Sequence, residues 1–155
     1  MKFIKIEKAS YQTLHDLMNE YYREGEDADT PQSEIDEFID LLYGMANEGK
    51  IGGRLAEEEG ETIGFILWAA DTEHFAFSEL PGYGTVMEIG VRKPFRMKGY
   101  GRRMVAFAEK RFKENSLDKS YVVAYGPAAE FWKKLGYAEN GSLAKSELPI
   151  FTKAL

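Results

Sequence analysis

The stretch that decides the fold is residues 88–101, which read Glu88-Ile89-Gly90-Val91-Arg92-Lys93-Pro94-Phe95-Arg96-Met97-Lys98-Gly99-Tyr100-Gly101. It begins as an extended apolar segment and ends in a basic turn that contains two glycines. A helical pattern follows at once, so the free N–H groups of a helix start should open out of this turn. Glycine allows a ligand to approach the backbone closely. The stretch therefore predicts a binding site for a phosphate-rich anion.

The charge of the chain is unevenly distributed around this turn. The net charge is −6, which argues against general binding of nucleic acid. Residues 1–40 hold eleven acidic and four basic side chains, whereas residues 92–113 hold nine basic side chains and one acidic one. A small polyphosphate ligand would require such a local concentration of cations, although a solvated basic helix face would give the same pattern.

Length and composition indicate one domain spanning residues 1–155. The chain has 155 residues, of which 44% are hydrophobic, enough to fill a single core. It lacks the roughly 18 consecutive apolar residues that a membrane span needs, so we expect a cytoplasmic protein with no membrane or nucleic-acid partner. Without cysteine there is no disulfide, no cysteine nucleophile and no thiolate metal site, and we predict no metal centre.

Hydrophobic periodicity predicts the order β-α-α-β-β-β-α-β-α-β-β. The predicted strands lie at 2–7, 53–58, 62–70, 85–91, 121–124 and within 148–155. The predicted helices start after the cap Ser10, at Thr30-Pro31 after a polar loop at 24–29, after the glycine turn up to about 115, and at about 127–135. The strands at 85–91 and 121–124 should be parallel, because a helix connects them.

Two blocks of sequence carry a resemblance to a known family. The spacing Arg96-x-x-Gly99-x-Gly101 resembles the pyrophosphate-binding motif of the GNAT-type N-acetyltransferase superfamily. The block 128–137 is similar to the short helix and glycine turn that this family places beside the thiol end of its cofactor. The resemblance implies an α/β fold with a single mixed, mostly antiparallel sheet, flanked by helices, with a central parallel strand pair.

The same resemblance implies acetyl-coenzyme A as the acyl donor and indicates where it would bind. The backbone of the strand before the turn would pair with the pantetheine arm, and the amides of the turn would receive the diphosphate. The implied cofactor-binding residues are Ile89, Gly90, Val91, Arg96, Met97, Lys98, Gly99, Tyr100, Gly101, Arg102 and Phe131. Taken alone, Gly90 is as well explained by packing in a strand.

Acetyl transfer to an amine needs a group that removes a proton from the amine. By resemblance, Glu88 is the first candidate for this base and Glu79 the second, with Glu73 and His74 as weaker candidates. A carboxylate without a proton-transfer role remains an alternative for Glu88. The family's frequent acid, a tyrosine in the short helix, is replaced by Trp132. Tyr125 could supply a hydroxyl near the thiol, or it could be a structural tyrosine that ends the strand.

The resemblance implies an enzyme that transfers an acetyl group from acetyl-CoA to a primary amine of a small molecule or peptide. Without cysteine, the transfer would be direct, within a ternary complex. The acidic N-terminal third suggests a cationic acceptor. The alternative is a non-catalytic CoA-binding or regulatory domain of the same fold, which Trp132 and Tyr125 would permit. Monomer and homodimer both remain open.

Overall fold

The computed structural model describes residues 1–25 and 27–155. Its elements, in chain order, are β1 (Lys2–Lys5), α1 (Tyr11–Glu24), α2 (Gln32–Asn47), β2 (Gly52–Glu58), β3 (Glu61–Ala70), β4 (Gly84–Val91), α3 (Tyr100–Glu114), β5 (Lys119–Val123), α4 (Gly126–Lys134), β6 (Ala138–Leu143) and β7 (Pro149–Ala154). Short 3-10 turns at Lys8–Ser10 and Lys93–Phe95 precede α1 and α3. The predicted order of elements is confirmed.

The seven strands form one mixed sheet in the order β1-β2-β3-β4-β5-β7-β6. β4 and β5 run parallel, with Gly84 opposite Ser120 and Thr85 opposite Tyr121. β1 with β2, β5 with β7 and β6 with β7 are antiparallel pairs. The predicted fold class is therefore confirmed, including the central parallel pair, since a helical crossover connects β4 to β5.

The residues group into two compact units, one of residues 1–67 with 88–101 and the other of 68–87 with 102–155. The single domain inferred from length remains a prediction. In the first unit, α1 and α2 bury most of the apolar stripes that periodicity predicts, although Phe38 of the predicted α2 stripe is exposed. Leu14, Leu17, Met18, Ile35, Ile39 and Leu42 are all buried there. This packing fixes the last turn of α1.

In the second unit, α3 buries Met104, Val105, Ala108 and Phe112, as its periodicity predicted. A Cβ atom at Gly84 would lie 2.4 Å from the ring of Phe112, so the helix needs a glycine at the start of β4. The ammonium group of Lys153 on β7 lies 2.9 Å from the carboxylate of Glu109 on α3. This ion pair ties the helix to the strand.

Several boundaries differ from the sequence prediction. β1 ends at Lys5 and not at residue 7, and β5 begins at Lys119 and not at residue 121. The N-cap of α2 is Pro31, in extended backbone, and not Thr30. The polar loop predicted at 24–29 begins later, because Glu24 is the last residue of α1, and Glu26 of that loop lies outside the described residues. β6 had no predicted bounds, since all of its residues are exposed and give no apolar pattern. Across the two described ranges, no helix combines the length and apolar character needed to cross a bilayer.

Candidate active site

The glycine turn has an irregular backbone between β4 and α3. After the 3-10 turn at Lys93–Phe95, Arg96 is extended, and Met97 and Gly99 both have left-handed backbone, with φ of 63° and 82°. A Cβ atom at Gly99 would meet no atom within 4 Å, so glycine is needed there for its backbone angle and not for space. Left-handed residues in a turn direct successive N–H groups into a concavity that suits an anion.

The turn lies on the surface of its unit. Residues 96–99 are exposed, and Met97 is 97% exposed. Tyr100 and Gly101 form the first turn of α3, where free N–H groups and the positive end of the helix dipole favour negative charge. These features fit a diphosphate group. Arg102 is the next residue of α3 and belongs to the second unit.

The side chain of Arg96 already has two protein partners. Its guanidinium donates hydrogen bonds to the carboxylate of Glu24 and to the backbone carbonyl of Val91. Arg96 and Glu24 both line a shallow surface depression of the first unit, together with Tyr21 and Phe65. Arg96 therefore braces the start of the turn against the end of α1.

Glu88 lies on β4 with its carboxylate turned toward α1. The hydroxyl of Tyr22 donates a hydrogen bond to Oε1 of Glu88 at 3.1 Å, and the hydroxyl of Tyr21 is a second donor to this carboxylate. The ring of Tyr21 packs edge-on against Tyr22 at 5.2 Å and Phe65 at 5.7 Å between centroids. The candidate base is thus held by two tyrosines of one helix.

Burial raises the pKa of the Glu88 carboxyl group to about 7. The hydrogen bonds from Tyr22 and Tyr21 lower this pKa, whereas the negative charge of Asp27 adds to the rise. The residue as a whole is only partly buried, yet loss of hydration at the carboxyl group is the largest influence. A carboxyl group with a pKa near neutrality can both accept and release a proton, as a general base must.

Gly90 follows Glu88 on the same side of β4. A Cβ atom at Gly90 would lie 2.6 Å from the ring of Phe65 and 3.3 Å from that of Tyr21. Packing of α1 and β3 against β4 therefore requires glycine at this position, the structural explanation left open by the sequence. Ile89 and Val91 are partly buried, and backbone pairing of all three with a ligand remains a prediction.

The remaining predicted site residues belong to the second unit. Tyr125 is the N-cap of α4 and is 40% exposed, while Phe131 is partly buried within that helix. Trp132 is buried, with its ring 5.0 Å from those of Phe131 and Tyr137, so it packs as a core residue. The carboxylate of Glu79, the second candidate base, accepts a hydrogen bond from the backbone N–H of Lys145 at 3.1 Å.

Sequence reasoning missed the residues that surround Glu88. Tyr21 and Tyr22 were identified only as part of the apolar stripe of α1, and Asp27 only as part of a polar loop. Periodicity reports which residues face the core, but not which hydroxyl reaches across to another strand. Two adjacent tyrosines at the end of an amphipathic helix were the available signal, because a buried tyrosine hydroxyl needs a polar partner.

Comparison with known proteins identifies the family and the fold of this chain. The model of the acetyltransferase (GNAT) family matches residues 11–137. The crystal structure of a PaiA N-acetyltransferase from Thermoplasma acidophilum, in complex with coenzyme A, is similar with a TM-score of 0.74 and 14% identity, covering 99% of this chain and 98% of that one. A ribosomal-protein-alanine N-acetyltransferase from Brucella melitensis gives a TM-score of 0.75 and 16% identity over 100% of both chains.

A structure from Pyrococcus horikoshii OT3 has a TM-score of 0.72 and 21% identity, covering 99% of this chain and 98% of that one. At these identities the likeness to solved structures shows the fold. A search among curated protein sequences finds no match.

Proposed function

We propose that this chain, which belongs to the acetyltransferase (GNAT) family, transfers the acetyl group of acetyl-CoA to a primary amine of a small molecule or peptide. The observation that carries the proposal is Glu88. It is a carboxyl group with a pKa of about 7 on the strand that leads directly into an exposed, anion-compatible turn. Carboxyl groups whose pKa is shifted by burial are frequent at catalytic sites, which supports this role for Glu88.

The turn would hold the donor by its diphosphate. The backbone N–H groups of residues 97–101 and the start of α3 supply hydrogen-bond donors and positive potential. Lys98, Arg102 and Arg96 add positive charge along the same segment. Ile89, Gly90 and Val91 would offer backbone groups of β4 to the pantetheine arm, and Phe131 would contact it from α4. The donor supplies an activated thioester.

Glu88 would remove the proton that the amine must lose. A lysine-like amine has an unperturbed pKa of about 10.4 and is mostly protonated at neutral pH, so a base is needed. Glu88 can accept a proton only when its carboxyl group is ionised. As the amine nitrogen bonds to the acetyl carbon, the bond from that carbon to sulfur breaks and the proton passes to Glu88. The chain has no cysteine, which supports direct transfer without an acyl-enzyme.

We further propose that Tyr125 donates a proton to the departing thiolate. Its hydroxyl is on a partly exposed side chain at the start of α4, the helix where the family's acid usually resides. Trp132, which occupies that family position, is buried and has no hydroxyl. Tyr125→Phe should lower the turnover rate, whereas an unchanged rate would remove Tyr125 from this role.

The surroundings of Glu88 favour a cationic acceptor. Asp27 is near enough to raise the pKa of Glu88, and Glu20 and Glu24 line the neighbouring depression of the same unit. Negative potential attracts a protonated amine and raises its local concentration. A polyamine, an aminoglycoside-like compound or a peptide amine has this chemistry.

The test measures release of free thiol from acetyl-CoA across a panel of cationic and neutral amines. Glu88→Gln should lower the rate at saturating amine by several-fold to a hundredfold while the affinity for CoA is preserved. Glu79→Gln tests the second candidate base, and Glu37→Gln, at an exposed carboxylate of α2, is the control. CoA binding without turnover on any amine would instead favour a non-catalytic CoA-binding domain.

A further inference from the structure

The hydroxyl group of Tyr22 is a feature that packing does not explain. Tyr22 is buried, with 7% of its surface exposed, and its ring contacts Tyr21 and Phe38 at centroid distances of 5.2 and 5.9 Å. A phenylalanine would fill this space equally well. A buried hydroxyl must instead find a polar partner, and here the partner is Oε1 of Glu88, 66 residues further along the chain.

We propose that Tyr22 is a positioning residue for Glu88, which orients the carboxylate and stabilises its ionised form through one partly buried hydrogen bond. This inference rests on the proposed role of Glu88 as the base. The hydroxyl of Tyr21, at the adjacent position of α1, also lowers the pKa of Glu88 and so favours its ionised form. The last turn of a packed helix is a rigid support for such a pair.

The surroundings of Glu88 act on its pKa in opposite directions. Burial and the negative charge of Asp27 favour its neutral form, whereas the hydroxyls of Tyr21 and Tyr22 favour its ionised form. Loss of a tyrosine hydroxyl should therefore raise the pKa of Glu88 further. The hydrogen bonds therefore determine how much of the base is ready for proton transfer.

Tyr22 does not itself exchange the proton. Burial, together with the charge of Glu88 and the hydrogen bond to it, holds the pKa of Tyr22 far above its ordinary value. The hydroxyl stays protonated throughout the working range and remains a donor. Its role is therefore to position Glu88 and to tune the ionisation of that residue.

The decisive measurement is the titration of Glu88 in the free protein, by NMR of side-chain ¹³C-labelled glutamate. Loss of the resonance in Glu88→Gln assigns it. Tyr22→Phe should move the midpoint upward from about 7 by about one pH unit, given the strength of a hydrogen bond to a charged group. Tyr21→Phe should move it in the same direction. Tyr11→Phe on the same helix is the matched control, because its hydroxyl bonds Asp40 instead.

Turnover provides the second readout. A shift of about one unit would leave roughly a tenth of the base ionised at pH 7 instead of half, so the rate of Tyr22→Phe should fall about fivefold there and recover at pH 9. An unmoved midpoint for Glu88 in both tyrosine variants would overturn the inference. A moved midpoint with no turnover of the wild-type protein on any amine would support the hydrogen bond and overturn the proposed function.

Discussion

Arg96, which opens the glycine turn, lies with its Nη2 atom 2.6 Å from the carboxylate of Glu24, the last residue of α1. Its Nε atom donates to the carbonyl of Val91 at 2.7 Å, so the side chain joins the end of the helix to the end of β4. Glu24 keeps 23% of its side chain exposed and Arg96 42%. A negative charge therefore accompanies the arginine at the start of the proposed anion site.

Glu24→Gln should strengthen the binding of coenzyme A by roughly twofold to fivefold. The change removes one negative charge near the proposed diphosphate site, and at a partly exposed position this is worth a fraction of 1 kcal/mol to about 1 kcal/mol. Calorimetric titration at low and high salt would measure it, and the gain should shrink at high salt. Glu20→Gln, one turn earlier, is the matched control, since Glu20 lies 3.9 Å from Arg92. If Glu24→Gln binds coenzyme A more weakly, the ion pair between Arg96 and Glu24 mainly holds the turn in its binding conformation.

Met97→Gly should stabilise the protein slightly. Met97 has a φ of 63°, a backbone region that costs residues with a Cβ roughly 1–2 kcal/mol, and its exposed side chain packs against little. Glycine removes this cost. It also makes the unfolded chain more flexible, which lowers the free energy of unfolding by about 0.5–1 kcal/mol. The net gain in the free energy of unfolding should be about 0.5 kcal/mol by denaturant titration. Lys98→Gly, in the same exposed turn, should instead lose stability, and equal losses at both positions would contradict the argument.

The fold was predictable because its signals are local. Period-2 and period-3.6 patterns, the cap Ser10 and the glycine after α4 mark most element boundaries, and the crossover between β4 and β5 forces that pair to be parallel. The exposed strand β6 has no such pattern, and its bounds could not be predicted. Thr30 looked like a helix cap, but the chain uses the backbone carbonyl of Pro31, to which Glu34 and Ile35 donate.

The candidate site was predictable only where the chain itself brings its parts together. Glu88 and the glycine turn belong to one continuous segment, so their nearness follows from the sequence. The contacts of Glu88 with Tyr21 and Tyr22, and of Arg96 with Glu24, join residues more than sixty positions apart. Such contacts depend on how α1 packs, which no local pattern encodes.

Ionisation of Glu88 should make the protein less stable as the pH rises. The folded carboxyl has a pKa of about 7 against an ordinary value of 4.5, so between these values the folded state binds a proton that the unfolded state has released. The free energy of unfolding should therefore fall by up to about 3 kcal/mol between these two pKa values and stay constant at higher pH. Glu88→Gln cannot ionise and should be more stable than the wild type at pH 8.

Denaturant titrations of both proteins at pH 5 and pH 8 would measure this difference. The advantage of Glu88→Gln should grow from pH 5 to pH 8, whereas Glu73→Gln, at an exposed carboxylate, should follow the wild type at both values. A constant difference between Glu88→Gln and the wild type would show that the carboxyl titrates with its ordinary pKa. A catalytic role would then have to be explained without a pKa near neutrality.

Asp71, directly after β3, organises the loop 72–83 of the second unit. Its carboxylate is buried and accepts hydrogen bonds from the Ser78 hydroxyl at 2.6 Å, the Tyr121 hydroxyl at 2.6 Å and the backbone N–H groups of Glu79 and Leu80 at 2.8 and 2.9 Å. Burial alone would raise the pKa of Asp71, but these donors outweigh it and hold the pKa below its ordinary value. The sequence shows only an acidic residue at the end of a strand.

Asp71→Asn should lower the free energy of unfolding by roughly 3 kcal/mol at pH 7. The NH2 group of asparagine is a donor and cannot accept the hydrogen bonds that one carboxylate oxygen accepts now. Ser78→Ala, which removes one of the four donors, should cost about 1 kcal/mol. Since the folded pKa is lowered, the stabilisation by Asp71 is present above the ordinary value of 3.8 and is lost as the pH falls through the folded pKa. In denaturant titrations, the difference in the free energy of unfolding between wild type and Asp71→Asn should therefore become smaller below about pH 4. An Asp71→Asn protein as stable as the wild type at pH 7 would show that the loop is held by its other contacts.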